Sequence, residues 1–194
     1  MKKSKAFCLA VAVLFLFAVF GMSACQKQSY GDVFSSLELL QDELSRQSLA
    51  FKYPIYLGEA AENTEKEFVA IKAPKEETYH GYKIYQFGSP FFTSVTAYSR
   101  ESDMLLSDES SRMEAAGALH SNYGEIAAFK GKGHKDALFL IGCINIDNAH
   151  YEVRVTSDEE MKDNAYTHAI YEGNAYYQQA LDLIVSIVNG LQSF

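Results

Sequence analysis

The stretch ALFLIGCINIDNAHYEVRVT, residues 137–156, decides the fold. A dense apolar run opens it at Ala137. The polar link Asp147-Asn148-Ala149 interrupts it, and a second strand-like run follows from His150 to Thr156. Two such runs joined by a short turn-forming link read as a β-hairpin, with strands over Ala137–Ile146 and His150–Thr156. Working back toward the N-terminus, Tyr79–Phe87 and Phe91–Ser99 are rich in aromatics, Thr and Val, and Gly88-Ser89-Pro90 separates them. They predict another hairpin. Phe68–Lys72 and Glu125–Lys130 add two strands. Phe51, Tyr53, Ile55 and Leu57 alternate with Lys52, Pro54 and Tyr56, which predicts an edge strand because Pro54 has no N–H to give to a ladder.

Helical periodicity frames these strands. Val33, Leu37, Leu40 and Leu44 recur at spacings of three and four and predict a helix over Asp32–Ser48. Ser107-Asp108-Glu109 opens a weaker helix through Met113, Ala116 and Leu119, closed by Asn122-Tyr123-Gly124. Ser157 and Glu160 stand at capping-box spacing. Tyr177, Leu181, Ile184, Val188 and Leu191 form the stripe of a long final helix that stops near Asn189-Gly190, with a break at Gly173-Asn174. Hairpins flanked by helices make an α+β fold: a mainly antiparallel sheet of about six or seven strands, packed by an N-terminal and a long C-terminal helix.

The first 24 residues stand apart from this body. Met1-Lys2-Lys3-Ser4-Lys5 is basic, and Ala6–Phe20 is an apolar run of 15 residues. A helix over that run covers about 22 Å, short of the ~30 Å hydrocarbon core, which suits a signal peptide better than a permanent span. Met22-Ser23-Ala24-Cys25 follows and resembles the lipobox of bacterial lipoproteins, with Met22 in place of the usual Leu. The resemblance implies diacylglycerol transfer to the Cys25 thiol and cleavage after Ala24. Residues 1–24 are then the signal peptide, 25–31 a lipidated tether and 32–194 a single domain. More than one acyl chain is needed for stable anchoring. The plainer alternatives are an uncleaved anchor or an ordinary secretory signal with Cys25 incidental. Gln26 is not the Asp associated with inner-membrane retention.

The ending of the chain, Tyr151-Glu152-Val153-Arg154-Val155-Thr156, a loop, and a helix finishing at Phe194, is similar in element order to the PsbP-like fold. That family includes bacterial lipoproteins with functions of binding and assembly, and none of its motif residues carries over.

Composition narrows the function classes. The chain has 194 residues, with 17 Lys and Arg against 25 Asp and Glu, a net charge of −8. Removing Lys2, Lys3 and Lys5 with the signal peptide takes it to −11. No basic run is interleaved with aromatics, so nucleic acid is not an expected partner. Of the three cysteines, Cys8 leaves with the signal peptide and Cys25 is alkylated, which leaves Cys143 as a lone thiol inside an apolar run. The expectation there is a small buried hydrophobe rather than a nucleophile.

No HExxH, GxSxG or CxxC occurs, and no cofactor or metal signature stands out. His150 and Glu152 share one face of a strand and could begin a metal site with at least one further ligand, although an exposed polar face is the plainer explanation. His168 reads as a packed surface residue. Gly131-Lys132-Gly133-His134-Lys135 superficially resembles a phosphate loop but leads into a strand, so a hairpin turn accounts for it. Tyr79, Tyr82, Tyr85 and Tyr98 on the first hairpin are the best hint of a surface for a carbohydrate, peptide or protein. Tyr is also simply favoured in strands. The functional expectation is a lipid-anchored, extracytoplasmic, non-catalytic binding module, attached to the membrane through Cys25. The alternative is a small extracytoplasmic hydrolase or metal-dependent enzyme using His150, Glu152 and further residues, which requires a cleft where at least three of His80, His120, His134, His150 and Asp or Glu groups converge.

Overall fold

Eight strands form one antiparallel sheet in the computed structural model, which describes residues 31–60, 66–72, 76–99, 113–133, 136–157, 159–160, 165–166 and 168–193. From one edge to the other they are Gly31–Phe34 (β1), Lys66–Lys72 (β3), Tyr79–Gln86 (β4), Phe91–Ser99 (β5), Ala149–Ser157 (β9), Leu138–Ile146 (β8), Gly124–Lys132 (β7) and Glu114–Ser121 (β6). Two meanders build it. The first consists of β3 (Lys66–Lys72), β4 (Tyr79–Gln86) and β5 (Phe91–Ser99). The second consists of β6 (Glu114–Ser121), β7 (Gly124–Lys132), β8 (Leu138–Ile146) and β9 (Ala149–Ser157). They meet where β5 pairs with β9, Val95 opposite Val153. Both predicted hairpins are present, with Gln86 opposite Thr93 and Ile146 opposite Ala149. The α+β class with a mainly antiparallel sheet therefore holds, but the main sheet has eight strands rather than six or seven.

Alternation sorts the side chains. Ala70, Tyr82, Ile84, Val95, Ala97, Tyr151, Val153, Val155, Leu140 and Ile144 join one buried cluster on the inner face, with Leu40 and Leu44 of α1 (Leu37–Arg46) and Ile184, Ile187 and Val188 of α2 (Ala175–Asn189). Gly142 lets α2 lie close on β8, because a Cβ there would sit 2.3 Å from the Ile184 methyl carbon Cγ2. The Asn174 side chain accepts from the Tyr177 N–H at 2.9 Å and caps α2, and the helix stops at Gly190, so the break at Gly173-Asn174 is a loop leading into a helix.

Four local expectations need correction. The predicted helix over Asp32–Ser48 begins instead as strand β1 (Gly31–Phe34), paired with β3, and α1 starts only after the Ser36 hydroxyl accepts from the Leu39 N–H. Val33, the first residue of the supposed helical stripe, is 70% exposed. The predicted edge strand Phe51–Leu57 does not enter the main sheet. Only β2 (Tyr53–Pro54) is a strand, paired with β12 (Leu191–Gln192), and Phe51, Tyr53 and Leu57 plug the inner face.

The weaker helix is also replaced. Its opening, residues 107–112, lies outside the described residues, and Glu114–Ser121 is strand β6. A bulge between Ala115 and Gly117, with Gly117 at φ +118°, lets Ala116 and Leu119 both pack on the core. One extra residue in a strand thus mimics the three-residue spacing of a helix. The capping box at Ser157 is not used as one. Ser157 ends β9 and its hydroxyl accepts from the Ile170 N–H at 2.9 Å, while Glu159–Glu160 (β10) pairs with Ala165–Tyr166 (β11).

Candidate ligand-binding site

A cleft of about 440 Å³ opens at the end of the sheet where the β8–β9 turn meets α1 and the segment after it. Its size falls in the range of about 300–1,000 Å³ typical of small-molecule sites. Lys52 sits in its wall, and tyrosines from two strands fix the backbone there. The Tyr151 hydroxyl accepts from the Lys52 N–H at 2.7 Å, and the Tyr82 hydroxyl donates to the Lys52 carbonyl at 2.6 Å. These groups satisfy a chain segment that has no ladder partner at that point, each bond contributing about 1 kcal/mol net. Tyr53 stacks on Tyr82 with ring centroids 4.8 Å apart, and Phe51 meets Tyr82 edge-on at 5.5 Å.

From this anchored backbone the Lys52 ammonium reaches the Ser193 hydroxyl at 3.2 Å and the Asp147 carboxylate at 3.5 Å, and lies 5.6 Å from the centre of the Tyr123 ring. Asp147 takes a positive φ of 52° in the β8–β9 turn, and its side chain is largely in water. Gln41 of α1 also lines the cleft, and its side-chain amide nitrogen is buried with no hydrogen-bond partner among the described residues. Such an unmet donor costs about 1–3 kcal/mol. Burial pushes the Tyr151 hydroxyl up to about 12 and holds those of Tyr53 and Tyr82 well above the ordinary tyrosine value, so all three stay neutral near pH 7.

The four tyrosines expected to form one surface are divided by the structure. Tyr82 is fully buried and belongs to the core, which removes it from any exposed platform. Tyr79 donates to Asp32 at 2.6 Å, and Asp32 also pairs with Lys72 at 2.9 Å, so this tyrosine ties β1 to the sheet. Those two hydrogen bonds hold the Asp32 carboxyl below its usual range, while burial and the Asp32 bond raise Tyr79 to about 12. Tyr85 and Tyr98 stand on the outer face, where Tyr85 stacks with Phe92 and lies under the Lys83 ammonium at 4.8 Å. Phe87 leans on Phe92 at 4.8 Å and is half exposed. Among the described residues no helix covers this face.

The described histidines each have separate surroundings. His80 pairs with Glu76, His120 is exposed on β6, His150 pairs with Asn145 at 2.9 Å, and His168 meets the Tyr176 ring edge-on. His134 and Cys25 lie outside the described residues. No group of three or more His, Cys, Asp or Glu side chains among the described residues is placed to hold a metal ion. Cys143 is buried, as its apolar run suggests, and burial with the nearby Glu152 carboxylate raises its thiol to about 12.

Gln41, Lys52, Asp147 and Ser193 escaped the sequence reading because they come from four distant stretches. The one local signal was a lysine inside the apolar alternation of residues 51–57. No family model matches the chain, and neither a curated protein nor a solved structure matches it. Among the described residues no helix is long and apolar enough to cross a membrane.

Proposed function

We propose that the protein is an extracytoplasmic bacterial lipoprotein, held to the membrane by lipid on Cys25, whose folded body binds a small ligand without transforming it. The observation that carries the location is the joint order of basic stretch, short apolar run and Met22-Ser23-Ala24-Cys25 within the first 25 residues. The cleft around Lys52 supports binding, since it combines a fixed cation and an unmet buried donor with an apolar wall. The separation of the described imidazoles favours this reading over the enzyme alternative.

Only residues 26–30 lie between Cys25 and β1, a length of chain that can span no more than about 20 Å, so lipid on Cys25 would keep the edge of the sheet within that distance. At a net charge of −11 the mature body is repelled by an anionic bilayer rather than lying on it. Metabolic labelling with a fatty-acid probe tests the anchor. Wild type takes up the label and Cys25→Ala does not, whereas equal labelling of both overturns the assignment.

A further inference from the structure

We infer that the Lys52 cleft takes a small organic monocarboxylate with an alkyl or aromatic tail, its carboxylate set against the Lys52 ammonium. This deepens the binding-module reading and rests on it. The charge at the site is incompletely met. The Lys52 side chain is only 20% exposed, yet its one carboxylate partner among the described residues is Asp147, 3.5 Å away with a side chain 78% exposed. A pair of that kind, opened to water, is weak. An anion entering the cleft meets a partly desolvated cation whose backbone is already held on both sides by Tyr82 and Tyr151.

The polar lining includes a donor that is unmet. The buried Gln41 amide nitrogen has no partner among the described residues, and the Ser45 and Ser48 hydroxyls and the Asn148 amide add hydrogen-bonding capacity. The Lys52 ammonium and the unmet Gln41 donor call for an acceptor, and an ionised carboxylate offers acceptors only. Leu49, Phe51 and Ile146 supply the wall for a tail.

One negative charge fits better than two. Ser45 lies in the last turn of α1 and Ser48 and Leu49 follow it, so the helix turns its electronegative end toward the cleft. Asp147 stands at the same site, and the whole chain is at −8. These features oppose a phosphate dianion more than a carboxylate.

The test uses the full chain in detergent micelles, titrated by calorimetry with hexanoate, benzoate, hexanamide and inorganic phosphate. Hexanoate or benzoate is expected to saturate, with hexanamide weaker by about tenfold or more, as the loss of a charge-assisted bond implies. Lys52→Met, which keeps the aliphatic stem, is expected to abolish the preference for acid over amide. Lys83→Met on the outer face is expected to leave it unchanged. Equal binding of acid and amide, tighter binding of phosphate, or no saturation by either acid overturns the inference. The acid–amide comparison is made on wild type and does not depend on the variant folding. Fatty-acid labelling of the same preparation reports the anchor separately, so a labelled chain that binds neither acid loses only the ligand assignment.

Discussion

The inner and outer faces of the sheet carry the same residue type to opposite ends. Tyr82 and Tyr151 point inward, where their rings are wholly buried and their hydroxyls grip the backbone of Lys52. Tyr85 and Tyr98 sit on the other side of the same strands or of their neighbour, among Lys83, Phe92 and Glu152. A shift of one residue along a strand converts one role into the other. Tyrosine content therefore predicts neither core nor binding surface until the covered face is known.

The sharpest way to break this contrast is to empty the inner face. Ile184→Ala removes the side chain that α2 lays over Gly142, and urea denaturation is expected to show a loss of about 2–5 kcal/mol. A loss no larger than that of an outer-face truncation would deny that α2 seals the core.

Tyr151→Phe comes next. It leaves the buried ring in place but strips the Lys52 N–H of its acceptor, at an expected cost of about 1–3 kcal/mol. Wild-type stability in this variant would mean that the 52–53 segment does not need its hydroxyl clamp.

Alkaline pH tests the inner tyrosine by titration. Tyr151 is raised to about 12 in the folded chain and burial holds Tyr82 well above its ordinary value, whereas an unfolded tyrosine titrates near 10. The folded state then holds more protons than the unfolded one above pH 10. The stability this supplies is complete below pH 10 and is lost as pH rises toward 12. Tyr79 and Tyr98, both raised to about 12, contribute with the same sign. Melting temperatures measured from pH 8 to 12 are expected to fall steeply above 10, and less steeply in Tyr151→Phe. Parallel curves for the two proteins contradict the assignment to the inner tyrosine.

The smallest effect belongs to Tyr85→Ala. It removes a ring stacked on Phe92 and a cation contact with Lys83 at the surface, and the expected change is about 1 kcal/mol or less by the same denaturation assay. A larger loss would show that the outer face is packed like the inner one.

What was legible in the chain follows from how local the determining forces are. The strands flanking Gly88-Ser89-Pro90 and Asp147-Asn148-Ala149 were readable because hairpins are set by adjacent residues. The final helix was readable because its apolar stripe and its stops at Asn174 and Gly190 lie within its own span. The errors arose where a partner lay far away. Gly31–Phe34 is a strand because β3 offers it an edge, and Phe51–Leu57 misses the sheet because side chains and the C-terminal residues Leu191 and Gln192 claim its backbone. At β6 a bulge disguised the strand period. Of the site, the sequence pointed to tyrosines, and one of the residues it named, Tyr82, is buried in the core.

By itself the sequence determined the hairpins, the closing helix and the charge balance, because each depends on neighbours within a few residues or on composition alone. The tertiary structure alone decided which side of each strand is core and that Gln41, Lys52, Asp147 and Ser193 share one cleft. Those outcomes depend on which surface the two helices cover and on contacts between residues far apart in the chain, which no short-range pattern encodes.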